Sequence, residues 1–320
     1  MPAELMIQEH TESKIDVQER APLEELCLAF LQAQDVASSS KRTYRRQLKQ
    51  FVSWLDATGR SYRMSELSRM DILAYKQDLL KAKAPSTVTG YLTAVRKLYQ
   101  WLEAEKAYPN IAKDIKGAKR PAGFRKDTLS KGQLRDILDQ IDRSSLEGLR
   151  DFALINLLAR TALRTVEIAK AQIQDIRQEA GQTVLWIQGK GHQEKDQYVL
   201  LTAETESPLR RYLQARAKEL GTPAPEDPLF VSLSDRNRKE GLTTRSISRI
   251  AKSRMRDVGL DSKKMSAHSL RHTAITLAIQ GGASLEQTQA MARHTDPKTT
   301  MIYFHNLERI QSGAERCISF

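Results

Sequence analysis

The strongest constraint in this 320-residue chain is an interruption. The stretch KDIKGAKRPAGFRK, residues 113 to 126, holds six basic residues, one acid, two glycines and a proline, and shows no apolar periodicity. Such a run offers no core face to a helix or a strand, so apolar patterning has to be gathered separately before and after it. Each half is long enough to bury its own core. The expected organisation is an acidic flexible arm over 1–21, a helical domain over 22–112, a basic linker over 113–127, a second domain over 128–305 and a C-terminal tail over 306–320.

The first half reads as helices alone. LEELCLAFLQA places Leu23, Leu26, Cys27, Phe30 and Leu31 at helical spacing, which makes Cys27 a core residue. SSSKRTYRRQLKQFVSWLDATG predicts a helix opened by serines and closed by Gly59. It sets Tyr44, Leu48, Phe51, Val52 and Leu55 on one face and Lys41, Arg42, Arg45, Arg46 and Lys49 on the rest. SRMDILAYKQDLLKA and PSTVTGYLTAVRKLYQWLEAEK supply two more helices.

After Thr128 the pattern is mixed. SLEGLRDFALINLLARTA is a strongly apolar helix. QTVLWIQGKGHQEKDQYVLLT contains two β-rich runs, Thr183 to Gln188 and Gln197 to Leu201, joined through Gly-Lys-Gly as a hairpin. Helical segments follow to the end. The expected fold class is mainly α (α+β): a helical bundle, then a mostly helical domain with a small antiparallel sheet.

Bulk properties exclude several classes. No apolar run approaches the length of a membrane span. Residues 1–20 lack the apolar core and cleavage site of a secretory signal. Cys27 and Cys317 lie far apart and no Cys/His spacing suggests a metal, so a cytoplasmic setting is expected. The net charge of +12 favours a polyanionic partner. Residues 1–25 are net acidic, with seven acids against Lys14 and Arg20, so the remainder carries +17. Eight basic residues and one acid fall between Arg236 and Arg256. A solvated face and a phosphate-binding face both fit such a run.

Four segments could carry chemistry. In SAHSLRHTAITLAIQGG, Ser266 caps a helix that Gly281 and Gly282 end, and His268, Arg271 and His272 share one face near its start, an arrangement suited to an anion. In HTDPKTTMIYFH, Asp296 and Pro297 start a helix in which Tyr303, Leu307 and Ile310 form an apolar stripe. Taken by itself, that stripe makes Tyr303 a packing residue. LLARTALRTVEIAKA presents Arg164 at a break between helical runs, with Thr165 placed to cap the second and Glu167 as a partner. IQGKGHQEKD puts Lys190 at a hairpin tip. This is no nucleotide-binding P-loop, because Gly191 follows the lysine and Val184 stands where the first glycine belongs.

In order along the chain, TALRTVEI, QGKGHQEK, HSLRHT and ARHTDPKTTMIYFH resemble the motifs of the tyrosine recombinase (phage integrase) superfamily, which includes Xer-type recombinases and integrases of mobile elements. SKRTYRRQLKQFVSWL and PSTVTGYLTAVRKLYQWLE resemble its helical core-binding, SAM-like domain, which would bind DNA. The resemblance covers both halves of the chain.

It implies site-specific recombination of double-stranded DNA at inverted-repeat core sites through a 3′-phosphotyrosyl intermediate and a Holliday junction. Integration or excision of a mobile element and Xer-like resolution are both compatible roles. Type IB topoisomerase-like relaxation and a catalytically silent DNA-binding protein are the alternatives. The implied nucleophile is Tyr303, whose free pKa near 10 calls for assistance at neutral pH. Arg164 and Arg271 would hold the phosphate, His268 would act as base or oxyanion donor, His294 would donate to a non-bridging oxygen, and Lys190 would protonate the leaving 5′-hydroxyl. Glu167 and His272 are supporting residues, the latter between packing and proton relay. No cofactor and no metal are expected. The expected assembly is a homotetramer on DNA, a monomer or weak dimer free in solution, associated with the nucleoid and not with a membrane. The tail is expected to be exchanged between protomers.

DNA-contact candidates are Lys41, Arg42, Arg45, Arg46, Arg96, Lys97, Lys119, Arg120, Arg245, Arg249, Lys252 and Arg293. Two departures from the family pattern stand out. Ala292-Arg293 precedes His294 where Leu-Gly is usual, and the first motif reads Thr-Ala-Leu-Arg in place of Thr-Gly-Leu-Arg. Glycine permits close backbone approach. Arg293 is therefore expected to change the local turn or to add a phosphate contact.

Overall fold

The computed structural model describes residues 23–60, 66–119, 127–189 and 192–319. The acidic arm, Arg120 and Lys190 lie outside the described residues, as does the side chain of Ile310. The chain divides into two compact units, residues 1–123 and 124–320.

The first unit contains α1 (Leu23–Ala33), α2 (Ser38–Ala57), α3 (Arg69–Ala82) and α4 (Pro85–Ala104). α1 buries the five residues its periodicity selects. Burial, then Glu24, pushes the Cys27 thiol up to about 12, which leaves it an inert core residue. α2 buries Leu48, Phe51, Val52, Trp54 and Leu55, with Tyr44 packed at the margin. Its serines do not cap it. Ala37 holds the N-cap position and the serines lie inside the first turn. The end is as the sequence predicts: Gly59 adopts φ 63°, and Arg60 N–H reaches back to Leu55 O at 3.0 Å.

The expected linker begins later than residue 113. Tyr108, Ala112 and Ile115 are buried in the same core. The chain beyond them is pinned by Lys76 Nζ, which donates to Lys116 O at 2.8 Å, and by Arg96, which donates to Ile115 O at 3.4 Å. Arg69 donates to Lys113 O. The basic segment shows no periodicity because its anchor is a single isoleucine plus backbone carbonyls, a pattern that periodicity cannot register.

The second unit is built around α6 (Leu146–Thr161), which packs against α8 (Ala203–Leu220) and α10 (Ala267–Gln280). α6 is buried on nearly every side, as its continuous apolar sequence requires. Gly148 is needed in its first turn, since a Cβ there would stand 1.6 Å from the carbonyl oxygen of Asp142. The remaining helices are α5 (Lys131–Asp139), the single turn α7 (Thr165–Ala169), α9 (Thr244–Arg256), α11 (Leu285–Ala292) and α12 (Pro297–Gln311). α12 continues through Asn306 to Gln311, so the segment that could be called a separate tail starts at Ser312. At the other end of the unit, Leu129 N–H donates to Thr273 Oγ1 on α10 at 2.8 Å in a buried bond.

The sheet has the order β1-β2-β3, all antiparallel: β1 Ile176–Glu179, β2 Gln182–Ile187 and β3 Gln197–Leu200. The hairpin read from the sequence is β2–β3, with Leu185 opposite Val199 facing the core. β1 is an additional strand. It pairs through a two-residue turn at Ala180 (φ 48°) and Gly181 (φ 76°), where positive φ at both central positions matches the strand twist. Its own sequence, IRQE, has one half-buried residue and three exposed ones, too little pattern to stand out.

Candidate active site

Two breaks in helical structure bring the site together. At the first, α6 ends in Ala162 with a left-handed backbone (φ 51°), and Arg164 occupies the N-cap of α7. Thr165 is therefore inside the helix, not its cap. The capping work is done by Glu167, which accepts the Arg164 N–H at Oε2 (2.7 Å) and the Arg164 guanidinium at Oε1 (2.7 Å). At the second break, α11 ends in Arg293 with φ 54°, and His294 follows directly. α10 passes between and is ended by Gly281 and Gly282 as the sequence predicts. Ser266 holds its N-cap position, but the capping bond runs from the Ser266 backbone N–H to Ser269 Oγ at 3.1 Å and not through the Ser266 hydroxyl. α12 begins at Asp296, whose side chain accepts the Lys298 N–H at 2.9 Å, and presents Tyr303.

The arginines converge. Arg271 is buried, 3% exposed, and donates to the carbonyl oxygens of Ala162 and Ala292, one from each break. Arg164 Nη2 donates to Arg293 O at 3.2 Å. Glu167 is fully buried between Arg164 and Arg293. Burial pushes its carboxyl up, but the Arg293 and then the Arg164 contacts outweigh that and hold it below the usual carboxylate range. Burial, followed by the Arg164 and Arg293 guanidiniums, pushes Arg271 down to about 9. Two guanidiniums thus pair with one carboxylate, while the third, Arg271, is held by backbone carbonyls alone. The excess positive charge is what an incoming anion would relieve.

Tyr303 is 4% exposed and packs on Ala162, Ala274, Ile275 and Ala292. It is a packing residue and more: its hydroxyl meets Nδ1 of His272. His268, exposed on the same face of α10, sets its ring edge-on to His272 at 4.6 Å. The His294 ring stacks beside Tyr303 at 6.3 Å. His294 Nδ1 is engaged by Thr300 Oγ1 at 2.9 Å, so Nε2 is the ring atom left to face a substrate. Burial, then His268 and Arg271, lowers His272 to about 4. Burial, then Arg271 and Arg164, lowers His294 to about 4. Burial pushes Tyr303 up to about 12 against the pull of Arg271. At neutral pH His272 and His294 are neutral, Tyr303 is a protonated phenol and the arginines are cationic.

The arrangement joins Arg164, His268, Arg271, His272, His294, Tyr303 and Glu167 in one place. Lys190 is outside the described residues, but its hairpin adjoins the site: His192 and Gln197 line the same cleft as His294 and Thr295. The return arm of that hairpin is tied down by Lys195, whose Nζ donates to the buried Asp175 carboxylate at 2.6 and 2.8 Å. Thr300, fully buried, is a site residue not singled out from the sequence. Its signal was there: it precedes Tyr303 by three residues and so stands one helical turn away.

Arg293 corrects an expectation. Its side chain is 4% exposed and turned inward, with Nη2 donating to Ala162 O and to Glu167 Oε2, each at 2.9 Å. The guanidinium is thus committed to the buried carboxylate and a backbone carbonyl, not directed outward. Among the other DNA-contact candidates, Arg42, Arg45 and Arg46 on α2, Lys119, and Arg245 and Arg249 on α9 are exposed. Lys41 and Lys97 are partly buried. Arg96 is partly spent on Ile115 O and Thr93. Lys252 is engaged by Asp261 at 2.9 Å and by Ser262 O at 2.7 Å.

Comparison with known proteins agrees with this geometry. Residues 127–309 match the phage integrase family, and residues 25–106 match the phage integrase N-terminal SAM-like domain. The tyrosine recombinase XerD of Listeria monocytogenes serovar 1/2a is 28% identical over 272 residues, covering 84% of this chain and 89% of that protein. Among solved structures, the XerH recombinase in a post-cleavage complex with difH substrate superposes with a TM-score of 0.72 at 24% identity, covering 92% of this chain and 85% of that one. A lambda integrase tetramer bound to a Holliday junction gives 0.68 at 14% identity, covering 90% and 79%. The fold and site define a DNA strand-transfer enzyme of the tyrosine type. The chain belongs to the phage integrase family and is a site-specific tyrosine recombinase, cleaving and rejoining DNA.

Proposed function

We propose that Tyr303 is the nucleophile of this recombinase and that Arg164, Arg271, His294 and His268 receive the scissile phosphate. The observation that carries the reading is the placement of the Tyr303 hydroxyl beside an uncompensated arginine cluster: three guanidiniums, with the one carboxylate of Glu167 paired to two of them. In the cleavage step the Tyr303 oxygen bonds to phosphorus while the bond to the 5′-oxygen breaks. The phenolic proton passes to His272 Nδ1, and Lys190 supplies a proton to the departing 5′-hydroxyl. His268 then serves as a donor to the phosphate, not as the base. A phenol near 12 facing an imidazole near 4 does not ionise at rest. Its proton leaves only as the O–P bond forms and the phenol turns acidic, the condition for general-base catalysis in the transition state. The step reverses when a 5′-hydroxyl attacks the phosphotyrosine, so bond energy is conserved.

The helical unit and the exposed arginines of α9 supply backbone contacts to double-stranded DNA. Four protomers on inverted-repeat core sites would exchange strands through a Holliday junction, in integration and excision of a mobile element or in Xer-like resolution, in the cytoplasm at the nucleoid. The segment after α12 would dock on a neighbouring protomer.

A covalent trap tests the reading. Nicked duplexes, including DNA flanking the gene and random sequence, are offered to wild type and Tyr303→Phe, and SDS-stable adducts are sequenced. Adducts in wild type alone, enriched for an inverted repeat, are expected. Adducts formed equally by Tyr303→Phe would remove Tyr303 from the role. Adducts at scattered sites with plasmid relaxation would make the enzyme topoisomerase-like.

A further inference from the structure

Ala162 and Arg293 share an uncommon feature, a left-handed backbone in a residue that carries a side chain. Each such residue is strained and persists only where its surroundings hold it. Each also adjoins the arginine cluster: Ala162 precedes Arg164 by two residues, and Arg293 directly precedes His294. Arg293, with Arg271, joins the two breaks, and Arg293 alone of the two also pairs with Glu167. Its guanidinium donates to Ala162 O and to Glu167 Oε2, each at 2.9 Å, and to Met291 O. Its own carbonyl accepts from Arg164 Nη2 at 3.2 Å. Arg164 is therefore held by two acceptors, Glu167 Oε1 and Arg293 O, and Arg293 governs both. It supplies one directly and anchors the other through the far oxygen of the same carboxylate.

A buried arginine that only filled space would not need this geometry. Glycine at position 293 would accept φ 54° without strain, yet it would leave Glu167 with one cation in place of two. Glu167 would then be held from the Arg164 side alone, by that residue's backbone N–H and guanidinium, with no cation on the far side of Oε2 to fix the carboxylate plane. The residue thus trades backbone comfort for a fork that fixes the carboxylate.

We propose that Arg293 is a positioning residue for strand cleavage: acting through Glu167 and its own carbonyl, it holds the Arg164 guanidinium in its phosphate-binding orientation beside His294. The proposal rests on the reading of Arg164 as a phosphate ligand. Arg293 does not touch the substrate. Its contribution is to the reaction rate once DNA is bound and not to DNA affinity.

The test uses the full chain with Arg293→Gly, Arg293→Lys and Arg293→Met. Two readouts are taken, both well below the thermal midpoint of each variant. The first needs no DNA: the side-chain Nε–H resonance of Arg164 and its solvent exchange, followed by nitrogen-15 NMR. The second is the first-order rate of covalent adduct formation at saturating nicked duplex, with the duplex dissociation constant measured alongside. Arg293→Gly is expected to keep the thermal midpoint within a few degrees, to speed exchange at Arg164, and to slow adduct formation on the order of 10²-fold, the scale for misplacing a catalytic group by about 1 Å. Duplex affinity should stay within about twofold. Arg293→Lys keeps the charge without the fork and should recover part of the rate, while Arg293→Met should recover none. A wild-type cleavage rate in Arg293→Gly, or an unchanged Arg164 resonance, would overturn the proposal. So would variants that lose stability alone. If the wild-type chain forms no adduct on any duplex, the phosphate-ligand reading has failed separately, and the Arg164 resonance alone decides whether Arg293 positions it.

Discussion

The two units bury different things. Among the described residues, the helical unit has no buried charged side chain: its interior is Leu, Ile, Val, Ala, aromatics and Cys27. The second unit buries Arg150, Asp151, Glu167, Asp175, Arg216 and Arg271. The first is stabilised by area removed from water and keeps its charges outside. The second places charge inside and must pair it, because an unpaired buried ion costs several kcal/mol. Function follows the division. A surface of exposed arginines binds polyanions generally, whereas a buried cluster with surplus positive charge is built for one anion in one geometry.

Substitutions sharpen the contrast, in falling order of effect. Tyr303→Phe should abolish adduct formation outright while changing stability little, since the ring packing on Ala274 and Ile275 is kept; gel analysis of SDS-treated reactions reads it. Glu167→Ala should cost roughly 3–5 kcal/mol by stranding the Arg293 guanidinium, and should also stop cleavage. Leu92→Ala in the helical unit should cost roughly 2–5 kcal/mol as a cavity. It strands no charge, so unlike Glu167→Ala its cost should not shrink when salt is added; urea unfolding at two ionic strengths separates the cases.

Histidine protonation between about pH 6.5 and 4 should act on one unit only. His272 and His294 sit near 4 when folded, below the ordinary value of 6.5, so the unfolded chain binds more protons between those limits. Stability of the second unit therefore falls as pH drops from about 6.5 toward 4. The helical unit has no histidine among its described residues. Trp186 is the sole tryptophan of the second unit. Its fluorescence in a chain carrying Trp54→Phe and Trp101→Phe would follow that transition, and the pH dependence should flatten in the His272→Gln, His294→Gln double variant. An equal acid sensitivity in both units would break the comparison. The smallest effect is at the surface: Arg45→Ala and Arg46→Ala should stay within about 0.5 kcal/mol in stability, and each should reduce the salt slope of duplex binding by about 1.

Legibility in the sequence follows the same line. The four helices of the first unit could be read because water is on one side of each and core on the other, which writes a period of 3.6 into Leu23 to Leu31 and Tyr44 to Leu55. α10 and α12 could be placed from Ser266, Asp296 and Pro297, since capping is local chemistry. The resemblance supplied the six catalytic candidates, and five of them lie together here. What escaped was non-local: β1 has almost no buried face, and Ile115 docks alone out of the basic segment. Arg293 is expected from the sequence to change the local turn or to add a phosphate contact; only the fold reveals the carboxylate 126 positions away that its guanidinium meets.

The buried bond from Leu129 N–H to Thr273 Oγ1 has a mechanical meaning. Leu129 is among the first residues described after the basic segment, and Thr273 directly follows His272 and stands two residues from Arg271. A pull on the chain entering the second unit is delivered at that point to α10, with no loop between to absorb it. Tension along the polypeptide thus arrives at the helix that carries Arg271 and His272, as a load cell is wired to the part it reports on.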